Sequence, residues 1–186
     1  MNVVAVPDKQ GLILRVAFYI LVAWIGMLLF PAMLSLGGIL VTSTLSTFAA
    51  AAVANAVVVR VYERGRLADV GLGGSPSSGR EFLTGAAAGI AASVSVVLVP
   101  VALRMAKYEH APAVVEHPWA SFAFDGLILF FGAMGEELLF RGYAFQLLIR
   151  SLGPFATILP TSVIFGLLHA ANPDANALGI VNTVNP

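Results

Sequence analysis

An all-α fold, a polytopic transmembrane helix bundle with about five membrane helices, is predicted by three features of this sequence. Hydrophobic residues fill 59% of its 186 positions and charged residues only 11%, and mean hydropathy reaches +0.90, beyond what a water-soluble domain of this size carries. Apolar runs near the ~20 residues needed to cross a bilayer recur between short polar segments. No tandem repeat or separate soluble domain interrupts them. The formal net charge is zero, which argues against nucleic acid as a partner. The absence of cysteine excludes disulfides, thiolate metal sites and a cysteine nucleophile.

Membrane helices are expected at about 12–36, 38–60, 82–104, 121–149 and 154–170. The first run, Leu12 to Leu36, exceeds the short apolar region of a signal peptide and lacks a small-x-small cleavage site, so it reads as an anchor that stays. The second is rich in small and hydroxyl residues that pack against neighbouring helices in lipid. VYERGRLADVGLGGSPSSGRE then marks a water-exposed loop by its glycines, serines, proline and charges. The third run contains Gly85-Ala-Ala-Ala-Gly89, a pattern that permits close helix packing. His110 and His117, in the polar segment 105–120, read as ordinary exposed residues. The fourth and fifth runs are joined at Gly153-Pro154, a connection short enough to make them antiparallel neighbours.

Lys9 and Arg15 flank the first helix, and Arg60, Arg64, Arg66 and Arg80 border or occupy the 61–81 loop, so the positive-inside rule places both in the cytoplasm. The location expected is integral to a plasma membrane of bacterial type, with lipid as the surrounding partner.

The fourth run carries GAMGEELLFRGYAF, two adjacent glutamates and an arginine where charge is costly. At about 100° per residue, Glu137 and Arg141 share a helix face and form the favoured Glu-to-Arg pair. Glu136 is left without a local cation. A carboxylate in a partly desolvated, water-filled pocket can act as a general base. The structural alternative is one buried network that only holds helices together. In the fifth run Phe165 and His169, four apart, also share a face. Glu136 is expected in the middle to outward half of helix four and His169 toward the outward end of helix five, on opposite walls of a cavity.

Glu136-Glu137-Leu-Leu-Phe-Arg141 followed by Phe165-Gly-Leu-Leu-His169, an EExxxR and an FxxxH motif on consecutive helices, resembles the CPBP (Abi) family of type II CAAX prenyl proteases and bacteriocin-processing relatives. HAANPDANALGIVNT and LADVGLGG add to the resemblance. It divides the chain into N-terminal helices and loops (1–120) and a partial family core (121–186). The resemblance implies an intramembrane endopeptidase in which Glu136 is the general base and His169 helps position the attacking water. Glu137 and Arg141 would hold the geometry, with Phe165 and Asn172 in support. Asn172 and Asn176 also suit the helix-ending turn that Asn-Pro favours. The family implies either a metal-independent glutamate mechanism or a divalent metal such as zinc, for which Glu136 and His169 are the only ligands nominated here. The implied partner is a membrane-associated peptide or lipidated protein, such as a prenylated CAAX protein. Family members continue into an HxxxN-type motif, so this chain is expected to be C-terminally truncated.

Other readings have weaker support. A non-catalytic membrane protein acting in helix packing, partner binding or bacteriocin immunity is the alternative from another class. A transporter would be expected to show paired broken helices or inverted repeats. HExxH and GxSxG are absent, and Asp125 has no second membrane aspartate to complete an aspartyl pair.

Overall fold

A computed structural model describes residues 6–70, 73–107 and 117–170, and every long regular element among them is an α-helix. These are α1 (Lys9–Leu34), α2 (Gly38–Val58), α3 (Ser78–Ala102), α4 (Pro118–Arg141), α5 (Tyr143–Leu152) and α6 (Pro154–His169). The described residues within 1–73 and 122–186 form one packed unit, and those within 74–121 form another.

Among the described residues two helical stretches, Lys9–Glu63 and Ser78–Ala102, are long and apolar enough to cross a membrane. The five-span expectation meets a different geometry at two places. The run 121–149 is not one helix: it divides at Gly142 into α4 and the ten-residue α5. α6 has 16 residues, which at 1.5 Å per residue reach only about 24 Å, short of a ~30 Å hydrocarbon core.

In the first unit α1 and α2 form an antiparallel hairpin, closed by the turn Ser35–Gly37 and by Gly38 at φ +79°. Thr42 Oγ1 donates to the Leu34 carbonyl at 2.8 Å and ties the turn shut. Down the hairpin, Gly26 lies against Ala50, Tyr19 against Asn55 and Arg15 against Glu63, the pairing order of antiparallel helices. The interface is built from small residues: Ala50, Ala51 and Ala54 have no exposed surface, and a Cβ on Gly26 would stand 2.8 Å from that of Ala50. Close backbone approach of this kind drives helix association where lipid removes the hydrophobic term.

α4 packs on α2 in parallel. Gly132 meets Thr44, Gly135 meets the backbone of Phe48, and Leu138 meets Asn55, so both helices advance together. The C-terminal end of α4 therefore lies beside the C-terminal end of α2 and the N-terminal end of α1. There the core gathers around Tyr19, Ala23, Ala54, Val58, Val59, Tyr143 and Leu147. A wider π-helical turn, Val59–Glu63, ends α2 and delivers Tyr62 and Glu63 to this end.

The second unit is dominated by α3, which has no buried residue and exposes Phe82, Leu83, Ile90 and a run of valines, a surface suited to lipid. Within that unit a Cβ on Gly85 or Gly89 would meet nothing within 4 Å, so the close approach permitted by the GxxxG pattern is not made there.

Candidate active site

The EExxxR motif occupies the last turn and a half of α4. Glu136 stands five residues from the helix end, level with the Asn55 region of α2, and so toward the end that also holds Arg15 and Glu63. Glu136 therefore stands nearer a helix end than a single helix over 121–149 would place it. The cause is the break at Gly142: with α4 ending at Arg141 and not near 149, Glu136 lies close to a helix terminus.

Glu137 and Arg141 form the expected i,i+4 ion pair. Their side chains remain about half exposed, so the pair lies open and is not packed inside the protein. Glu136 is half-buried, and among the described residues no side chain pairs with its carboxylate. All three groups line a cavity of about 300 Å³ between α4, α5 and α6. Phe140 of α4, Phe145 of α5, and Ile158 and Phe165 of α6 supply apolar walls, and Thr161 and Ser162 contribute hydroxyls. The Thr161 hydroxyl is engaged, donating to the Thr157 carbonyl at 2.7 Å.

Phe165 packs edge-on against Phe140 with ring centroids 5.0 Å apart, which joins the two motifs across the cavity. His169 sits one turn further along α6, its ring 4.5 Å from Phe165 and its Nδ1 2.9 Å from the Phe165 carbonyl oxygen. A carbonyl only accepts, so Nδ1 carries a proton, and in the neutral ring Nε2 keeps its lone pair. His169 does not line the cavity, and no hydrogen bond joins it to Glu136. His117 is exposed. Asn172, Asn176 and His110 lie outside the described residues.

The residues that sequence reasoning missed gather around Tyr143 and the α4–α5 junction. Arg15 Nη1 meets Glu63 Oε1 at 2.7 Å, and the Tyr143 hydroxyl donates to the same oxygen at 2.6 Å. Arg15 also lies 5.2 Å from the ring centre of Tyr62. Asn55 and Tyr19 bind the backbone at the α4–α5 junction. One signal was available: Asn55 is a lone amide in the apolar run AAAAVANAVVV, and polar groups at such positions require partners.

A catalytic zinc takes three protein ligands and a water. Among the described residues no group of three or more His, Cys, Asp and Glu side chains comes together. Glu136 and His169 supply only two candidates, so the described residues do not make up a zinc site.

These features define an all-helical protein among the described residues, with two helical stretches long and apolar enough to cross a membrane and an acidic cavity walled by aromatic rings. Residues 118–184 match the family model for the type II CAAX prenyl endopeptidase Rce1-like proteins, and this supports the assignment to the CPBP family made from the two motifs. The matched segment runs from the start of α4 past His169 and contains both motifs. No curated protein and no solved structure matches the chain. The family is membrane-embedded and points to a CAAX-type protease acting on a membrane-associated or lipidated protein.

Proposed function

We propose that this chain is an intramembrane endopeptidase that hydrolyses a peptide bond of a membrane-associated, lipidated substrate such as a prenylated CAAX protein. One observation carries the reading: among the described residues Glu136 lines the cavity without a paired cation, because the guanidinium that lines it with Glu136, that of Arg141, is taken by Glu137. A carboxylate so placed can accept a proton from water. The water oxygen then bonds to the scissile carbonyl carbon, and Glu136 returns the proton to the amide nitrogen as the C–N bond breaks. A new carboxyl and a new amine leave. His169, with Nε2 of the neutral ring as an acceptor, is suited to orient that water, and Phe165 holds the imidazole through its tilted ring contact and its carbonyl. The aromatic and aliphatic walls suit an apolar substrate segment.

Replacement Glu136→Gln keeps the shape and removes the base. Cleavage of a lipidated peptide in membranes should fall by about 10²- to 10⁴-fold, with accumulation unchanged. Cleavage at the wild-type rate would refute the mechanism. A second reading, a non-catalytic membrane protein, is favoured by the absence, among the described residues, of a hydrogen bond between Glu136 and His169. It predicts no cleavage by the wild-type chain in that assay.

The finer location follows from charge. Lys9, Arg15, Arg60 and Arg64 support a cytoplasmic N-terminus in a plasma membrane of bacterial type, and with that orientation the parallel packing of α2 and α4 supports a cavity in the cytoplasmic half. A Ser77→Cys variant should resist a membrane-impermeant thiol reagent in intact cells and react after lysis. Labelling in intact cells would reverse the topology.

A further inference from the structure

The α4–α5 junction poses a physical problem. A helix end leaves carbonyls without intrahelical partners, a helix start leaves amides without them, and lipid supplies neither. At this junction the partners come from α2 and α1. Asn55, buried at 1% exposure, donates from Nδ2 to the Leu138 carbonyl at 3.0 Å and to its own Ala51 carbonyl at 2.8 Å. Its Oδ1 accepts the Tyr143 N–H at 2.7 Å. The Tyr19 hydroxyl, shared between the Leu138 and Leu139 carbonyls at 2.9 Å each, completes the set. One amide thus holds the last turn of α4 and the first residue of α5 at once. Gly142 between them has no room for a side chain, because a Cβ there would run into the Leu138 oxygen and both polar atoms of Asn55.

The two residues before Leu138 are Glu136 and Glu137. On the far side of the break, Phe145 lines the same cavity. Any rotation of the last turn of α4, or a straightening of the break, would move Glu136 relative to Phe165 and displace Phe145. We propose that Asn55 is a positioning residue for the Glu136 site: by bridging Leu138 and Tyr143 it fixes the break and holds the acidic turn of α4 against α6. The kinetic part of this inference rests on the protease reading, and the geometric part does not. Only an amide fills the role, since an aspartate of the same shape keeps the acceptor for Tyr143 and loses the donor for Leu138.

The chain has no cysteine, so introduced pairs report cleanly. Phe140→Cys with Phe165→Cys spans the cavity and can be joined by a short bifunctional thiol reagent. Thr44→Cys with Gly132→Cys reports the α2–α4 contact further up, where a Cβ on Gly132 would lie 3.6 Å from that of Thr44, within disulfide range. Asn55→Asp and Asn55→Ala should each lower cavity cross-linking in membranes about tenfold, the scale set by loss of a buried hydrogen bond, while the Thr44–Gly132 disulfide forms as before. In the cysteine-free chain the same changes should lower kcat about tenfold at unchanged KM. Retained cavity cross-linking would overturn the proposal. Equal loss of both cross-links would overturn it too, by showing a general loss of packing. Lost cavity cross-linking with undiminished proteolysis would overturn the link to the reaction. If cavity cross-linking falls alone and the wild-type chain never cleaves, the geometric role stands and the protease reading fails.

Discussion

Two ion pairs occupy the same end of the helical unit, and they differ in every physical respect. Glu137 and Arg141 are one helical turn apart on α4, with side chains 59% and 50% exposed. Arg15 and Glu63 are 48 residues apart on α1 and at the end of α2, with side chains 21% and 7% exposed. The local pair borders an open cavity and leaves Glu136 unpaired beside it. The long-range pair is enclosed, and its carboxylate also accepts the Tyr143 hydroxyl. The contrast separates two uses of charge in an apolar chain. The enclosed pair locks three segments together, and the open pair keeps a cation occupied so that the neighbouring carboxylate is left for chemistry.

The largest expected effect lies in the enclosed pair. Glu63→Ala strips the acceptor from both the Arg15 guanidinium and the Tyr143 hydroxyl, leaving a largely buried charge and a polar group without that partner. Breaking a buried pair in this way costs about 3–5 kcal/mol, whereas Glu137→Ala at an open pair costs about 1 kcal/mol or less. Reversible unfolding of the two variants in bilayers, measured side by side, checks the ranking. Equal costs would mean that burial does not distinguish the pairs.

Legibility in the sequence followed the same division. Glu137–Arg141 and Phe165–His169 could be read because helix periodicity places residues four apart on one face, and both contacts are present. The apolar α1–α2 region and α3 were equally plain from hydropathy. The break at Gly142 was hidden. The run 121–149 is apolar and contains no proline, and glycine is common in membrane helices. What makes the chain break there is an amide on α2, 83 residues from Leu138 and 88 from Tyr143, and no local pattern encodes that contact. Arg15 was legible as a flanking charge and Glu63 as part of a polar loop, but their pairing required the hairpin register. The hairpin itself could be anticipated, whereas the π-helical turn that swings Glu63 onto Arg15 could not.

The smallest stability effect, and the sharpest test of the comparison, lies in Glu137→Gln. The amide retains the size of the carboxylate and loses its charge, so Arg141 loses a partner at a site where both side chains already reach the surrounding medium. Folding stability should change by about 0.5 kcal/mol or less, as for exposed i,i+4 pairs. Cleavage should fall further than stability does, by about tenfold or more, because an unanchored guanidinium is free to move within the cavity it shares with Glu136, and a misplaced charge near the reacting atoms costs rate. Unfolding free energy and the cleavage rate of a lipidated peptide, measured on the same preparation, separate the two quantities. A variant that loses both in proportion would make the open pair a brace like Arg15–Glu63, and Glu136 would then have no claim to be the residue the pair sets free.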